Sequence, residues 1–138
     1  MKAPDFILKK MGQEEEVSLH SYVGKPILLT FWTSWCPDSQ KDLYIKNQFY
    51  GSMKNNNLIL LTINVTGREG NKDAGLKFME RENYSFPALE DEGTKTYDAY
   101  RCMGVPTTIL ISKEHDVVAT YNDKVHFTEV LKNIGKIL

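Results

Sequence analysis

The stretch FWTSWCPDS, Phe31 to Ser39, decides how the chain is read. It closes the apolar run PILLTFW (residues 26–32) and passes through Thr33-Ser34-Trp35 to Cys36-Pro37. A continuous apolar run of strand length is what a parallel strand covered on both faces requires. Pro37 suits the first position of a helix, where its missing N–H costs nothing and its φ is preset. Cys36 therefore stands at a helix mouth, where backbone N–H groups and the positive end of the dipole favour a thiolate. The thiolate is the nucleophilic form, so Cys36 is the candidate nucleophile. Ser39, three residues on, can donate a hydrogen bond to that sulfur. Asp38 opposes a thiolate, and Lys41 is placed to offset it.

Outward from this stretch, strand and helix patterns alternate. Residues 6–8 read as a short strand pairing with residues 17–19 across the Gly12 turn. Residues 37 to about 53 read as a helix. LILLTINV (residues 58–65) is a second buried strand, and residues 73–82 are helical. Residues 87–89 form a short turn or strand, and residues 94–102 a short helix. TTILIS (residues 107–112) is a strand, and residues 117–121 return antiparallel through the turn at Glu114, His115 and Asp116. An amphipathic helix over residues 127–138 closes the chain. Strands alternating with helices, ending in a hairpin, predict an α/β fold with a central mixed sheet flanked by helices. The loop Gly67-Arg68-Glu69-Gly70-Asn71-Lys72 lacks the Gly-Lys-Ser/Thr ending of a phosphate loop and reads as a surface loop.

The 138 residues fit one domain, residues 1–138, with a core large enough to need no staples. Hydrophobic residues make up 41% and charged residues 25%, and 17 basic residues face 18 acidic ones, so no basic surface points to nucleic acid. No apolar run approaches membrane-spanning length. MKAPDF has no apolar signal region, so the expectation is a cytoplasmic protein, or an exported or anchored one whose leading segment lies outside this sequence. Two cysteines, Cys36 and Cys102, are no disulfide framework. His20, His115 and His126 show no metal-ligand spacing with either, and neither a metal nor another cofactor is expected.

The segments APDF, VSLHSYVGKPILLTFWTSWCP, FPAL, YDAY and GVPTTILI, taken together, resemble the TlpA/ResA-like branch of the thioredoxin fold, related to the redoxin and AhpC/TSA group. The resemblance covers nearly the whole chain. It implies a central sheet flanked by helices with the active cysteine at a helix N-terminus. It implies that Pro106 is a cis proline facing the sulfur and that the Val105 backbone pairs with an extended client segment. Trp35 would sit beside the sulfur and touch the client, with Pro37 next to it, while Trp32 belongs to the core.

The chain departs from that pattern. Ser39 stands where dithiol members carry the resolving cysteine. Thr30 stands where thioredoxin has a buried acid. Asp42, six residues after Cys36, occupies a position where ResA-like members carry a glutamate; it could accept a proton under the sulfur, or be a solvated helix acid. Tyr44 replaces a helix-kinking proline, so the helix should run straighter. Cys102 sits four residues before Pro106, at an aliphatic position, and reads as core. The leading expectation is a monothiol thiol-disulfide oxidoreductase: Cys36 forms a mixed disulfide with a disulfide- or thiol-bearing protein, and a low-molecular-weight thiol or a reductase resolves it. The alternatives are a peroxiredoxin-like thiol peroxidase, with Thr33 three residues before Cys36, and a non-enzymatic module that holds clients in the Val105–Pro106 groove.

Overall fold

Six consecutive buried residues, Ile27–Trp32, form the central strand of the sheet, β3. The computed structural model describes residues 1–138. In chain order the elements are β1 (Ile7–Lys9), β2 (Glu16–Ser18), β3, α1 (Pro37–Ser52), β4 (Ile59–Asn64), α2 (Ala74–Glu82), β5 (Ala88–Glu90), α3 (Lys95–Ala99), β6 (Thr107–Ile111), β7 (Val117–Tyr121) and α4 (Phe127–Ile137). Short 3-10 turns occupy Leu19–Tyr22 and Thr66–Arg68. β1 and β2 form a separate hairpin, with Leu8 opposite Val17 and Gly12 in the turn at φ 72°. The main sheet runs β5-β4-β3-β6-β7. β3, β4 and β5 are parallel, while β6 and β7 are antiparallel additions, so the sheet is mixed.

Alternation along β3 sorts its side chains onto two faces. Ile27, Leu29 and Phe31 pack with Leu8 and Val17 of the hairpin and with Tyr97 and Tyr100 in and just after α3. Leu28 and Trp32 pack with Leu43 of α1, Phe78 of α2 and Val130 and Ile134 of α4. Both faces are covered, which explains why the strands read as continuous apolar runs. Thr30 falls between Leu28 and Trp32 on the α1 face. It lies in register with Thr62 of β4 and Thr108 of β6, so a row of hydroxyls crosses the middle of an apolar face.

The expected elements stand within a residue or so of their observed ends, except the segment over 94–102. There the helix is Lys95–Ala99, and Arg101 at φ 56° turns the chain out before Cys102. α1 is unbroken from Pro37 to Ser52, with Tyr44 exposed on it. The loop after β4 is more than a surface connection. Gly67 N–H donates to Gly93 O at 2.9 Å. A Cβ at Gly67 would lie 2.8 Å from the Gly93 carbonyl carbon, so only glycine permits this approach.

Candidate active site

Cys36 is the N-cap of α1, with extended backbone at φ −83° and ψ 118°, and Pro37 follows inside the first turn. The carbonyl of Cys36 accepts the Gln40 N–H at 3.0 Å, the first bond of the helix. No side chain caps this terminus. An N-cap side chain is placed to accept from the N–H groups two and three residues on, here Asp38 and Ser39. A thiolate on Cys36 can take that role. Cys36 is largely buried, 9% exposed, and its thiol lies 3.6 Å from the Val105 carbonyl oxygen, to which it donates. The Val105–Pro106 peptide bond is cis. The structure thus brings Cys36, Pro37, Val105 and Pro106 together from the start of α1 and the segment before β6.

Ser39 is brought close but does a different job from the expected one. It is fully buried, and its Oγ accepts the Thr33 N–H at 3.4 Å. It makes no hydrogen bond to the sulfur, because the first turn of α1 aims its side chain back under the 33–35 loop. Lys41 and Asp38 form no ion pair with each other. Asp42 neither contacts the sulfur nor stands free in solvent. Its carboxylate takes Lys46 Nζ at 2.8 Å, with side chains 23% and 1% exposed respectively. Thr33 Oγ1 is buried with no partner and does not bond the sulfur. Arg68, whose carbonyl accepts from Trp35, is held by Tyr97, to whose hydroxyl its guanidinium donates at 3.2 Å.

Two residues that sequence reasoning passed over shape this region. Glu69 accepts from Ser34 N–H and Ser34 Oγ, both at 2.7 Å, and from Asn64 Nδ2 at 2.7 Å. The neighbouring Arg68 carbonyl accepts the Trp35 indole N–H at 2.7 Å. The loop after β4 therefore grips both residues that lead into Cys36. Trp35 remains 56% exposed beside the site, whereas Trp32 is fully buried in the core, as expected. Lys46 is the second. Besides Asp42, it donates to Thr30 Oγ1 at 2.7 Å and to Thr108 Oγ1 at 2.9 Å. Its signal was present in the sequence: Ser39, Leu43 and Lys46 fall at i, i+4 and i+7, one helical face, and all are buried. No comparable periodicity marks Glu69, whose partner Ser34 is 35 residues away. Burial pushes the Cys102 thiol up to about 12, with the Thr107 side chain pulling the other way. Cys102 packs against the core and forms no disulfide.

Comparison with known proteins agrees with this architecture. A thiol-disulfide oxidoreductase ResA from Halalkalibacterium halodurans is 30% identical over 120 residues, covering 87% of this chain and 66% of that protein. ResA from Geobacillus kaustophilus is 33% identical over 116 residues, covering 83% of this chain and 64% of that protein. The chain thus spans just under two thirds of the length of these relatives. Among solved structures, StoA from Bacillus subtilis superposes with a TM-score of 0.82 at 24% identity, over 94% of this chain and 96% of that one. A thioredoxin-like superfamily protein, SPOA0173, reaches 0.85 at 21% identity, over 99% and 96%. The fold is thioredoxin-like. No helix is long and apolar enough to cross a membrane. With the AhpC/TSA family model matching residues 1–120, and with ResA-like redoxins among its relatives, the chain belongs to the AhpC/TSA family.

Proposed function

We propose that the protein is a thiol-disulfide oxidoreductase that works through Cys36 alone. The observation that carries this reading is the sulfur of Cys36 at an uncapped helix N-terminus, 3.6 Å from the Val105 carbonyl beside Pro106. The Cys36 thiolate attacks one sulfur of a client disulfide. A bond forms between Cys36 and that sulfur, the client S–S bond breaks, and the second sulfur leaves as a thiolate that takes a proton from solvent. An external thiol, deprotonated, then attacks the client sulfur of the mixed disulfide. Cys36 leaves as thiolate, and a new disulfide joins client and external thiol. Ser39 puts no second sulfur at the end of the first turn, and Cys102 is packed against the core.

Clients are extended segments carrying a cysteine. The Val105 N–H donates to no group in the chain, which leaves it for main-chain pairing with such a segment. Trp35, Pro37 and the 98% exposed Met103 give the surround an apolar character. Ser39 acts as a spacer that supports the 33–35 loop. The peroxidase reading has less support, because Thr33 Oγ1 makes no contact with the sulfur and Arg68 is engaged by Tyr97.

The parent protein, given an oxidised low-molecular-weight thiol, should accumulate one stable adduct, located at Cys36 by mass spectrometry. Ser39→Cys should gain reductase activity toward insulin, at a stability cost below about 1.5 kcal/mol for a near-isosteric exchange. No adduct on the parent, together with a folded but inactive variant, would leave the binding-module reading in its place.

A further inference from the structure

A lysine sealed inside an apolar face needs a reason. Burial pushes the Lys46 ammonium toward its neutral form, with Asp42 pulling it back. Its three donor positions are met by three acceptors: Asp42 Oδ2 at 2.8 Å, Thr30 Oγ1 at 2.7 Å and Thr108 Oγ1 at 2.9 Å. Three donors are what the charged ammonium supplies. The acceptors belong to α1, β3 and β6, and Thr30 and Thr108 are register partners at the centre of the sheet. α1 begins at Cys36, and β6 begins just after Pro106. Lys46 therefore joins the element that carries the sulfur to the element that carries the proline facing it.

Charge gives a second, separate observation. Helical side chains tilt toward the N-terminus, so Lys46 reaches back one turn to the level of Asp42. Asp42 stands six residues from Cys36, about 9 Å along the axis at 1.5 Å per residue. At that range an unpaired carboxylate in a partly buried setting raises a thiol midpoint by about one pH unit. Lys46 and Asp42 also line a cavity of about 220 Å³ with Pro106. The other titratable groups around it are Asp38 and Lys41 of α1, Tyr121 of β7, and Asp123 and His126 ahead of α4.

We propose that Lys46 is a positioning residue for Cys36: its buried ammonium cancels the charge of Asp42 and ties α1 to β6. The proposal rests on Cys36 being the nucleophile, and it assigns Asp42 as the partner of Lys46 rather than as a base for the sulfur.

The test is the rate of Cys36 alkylation by iodoacetamide against pH, which reads the thiol whether or not any disulfide is exchanged. Cys102→Val serves as the background, so that one thiol reports. Lys46→Met should raise the midpoint by about one unit, since Asp42 is then uncompensated. Adding Asp42→Asn to Lys46→Met should return the midpoint to within about 0.3 unit of the parent, because a neutral pair replaces a neutral pair. A purely structural lysine would change thermal stability and leave the midpoint where it was, and that result overturns the proposal. So does a shift that the second substitution fails to reverse. Should Lys46→Met not fold, Asp42→Asn alone still decides. It leaves the Lys46 ammonium unopposed, so its midpoint should fall; an unchanged midpoint or a rise overturns the proposal. Failure of the adduct experiment with these midpoint shifts intact would count against disulfide exchange and not against Lys46.

Discussion

At the scale of single residues, Cys36 holds two hydrogen-bonding options that its protonation state selects between. The thiol faces the Val105 carbonyl, an acceptor that suits S–H and repels a thiolate. On ionisation that contact loses its proton, while the N–H groups of Asp38 and Ser39 gain an acceptor. Ser39 takes no part in this exchange through its hydroxyl, which is turned to Thr33 N–H. Ser39→Ala should leave a buried N–H unpaired and cost about 1 kcal/mol or somewhat more in denaturant unfolding. The alkylation rate of Cys36 should move little. A severalfold fall in that rate would mean that the hydroxyl reaches the sulfur in solution.

At the scale of elements, the site depends on how closely the loop after β4 and helix α2 approach the end of β3. Asn64 ends β4, and its amide donates to Glu69 and to the Trp32 carbonyl. α2 lies directly over this amide because residue 75 is glycine; any side chain there would collide with Asn64. Gly75→Ala should therefore destabilise by about 1–3 kcal/mol, the usual range for overpacking, measured by chemical denaturation. Glu69→Ala should remove the shared acceptor of Ser34 and Asn64, costing about 2 kcal/mol for hydrogen bonds to a charged group. With Ser34 released, Trp35 fluorescence should become more open to quenching by acrylamide, while buried Trp32 stays protected. Unchanged quenching would show that the Arg68 carbonyl holds Trp35 unaided. The strands of this arrangement were legible in the sequence because burial on both faces writes itself as unbroken apolar runs. The start of α1 was legible because Pro37 fixes it. Lys46 was legible in principle, on the face shared with Ser39 and Leu43, yet a lysine is read as solvated by default. Glu69 was not legible: its role comes from a chain approach set by Gly67 against Gly93, which no local pattern encodes.

At the scale of the whole molecule, the second cysteine couples folding to alkaline pH. Cys102 leaves the short α3 helix and packs against the cluster that holds Tyr97 and Tyr100. Burial raises its thiol from 9.0 to about 12, and raises the Tyr100 phenol as well, whose hydroxyl donates to Pro4 O at 2.7 Å. Between pH 9 and about 12 the unfolded chain has released the Cys102 proton and the folded chain has kept it. The folded state then binds more protons, so its stability falls as pH rises through that window. Below pH 9 the contribution is fully present. Cys102→Val nearly conserves volume and removes this one titration while leaving Tyr100 in place. The parent should therefore lose more unfolding free energy than the variant between pH 8 and pH 10.5. The extra loss should be about 1 kcal/mol, below the full linkage value because the thiol is only partly shielded from solvent. Urea midpoints for both proteins at the two pH values give the comparison. Equal losses would mean that Cys102 ionises in the folded state as readily as in the unfolded one. A thiolate would then stand in the same segment as Val105 and Pro106, and Cys102 would have to be considered as a second sulfur for Cys36.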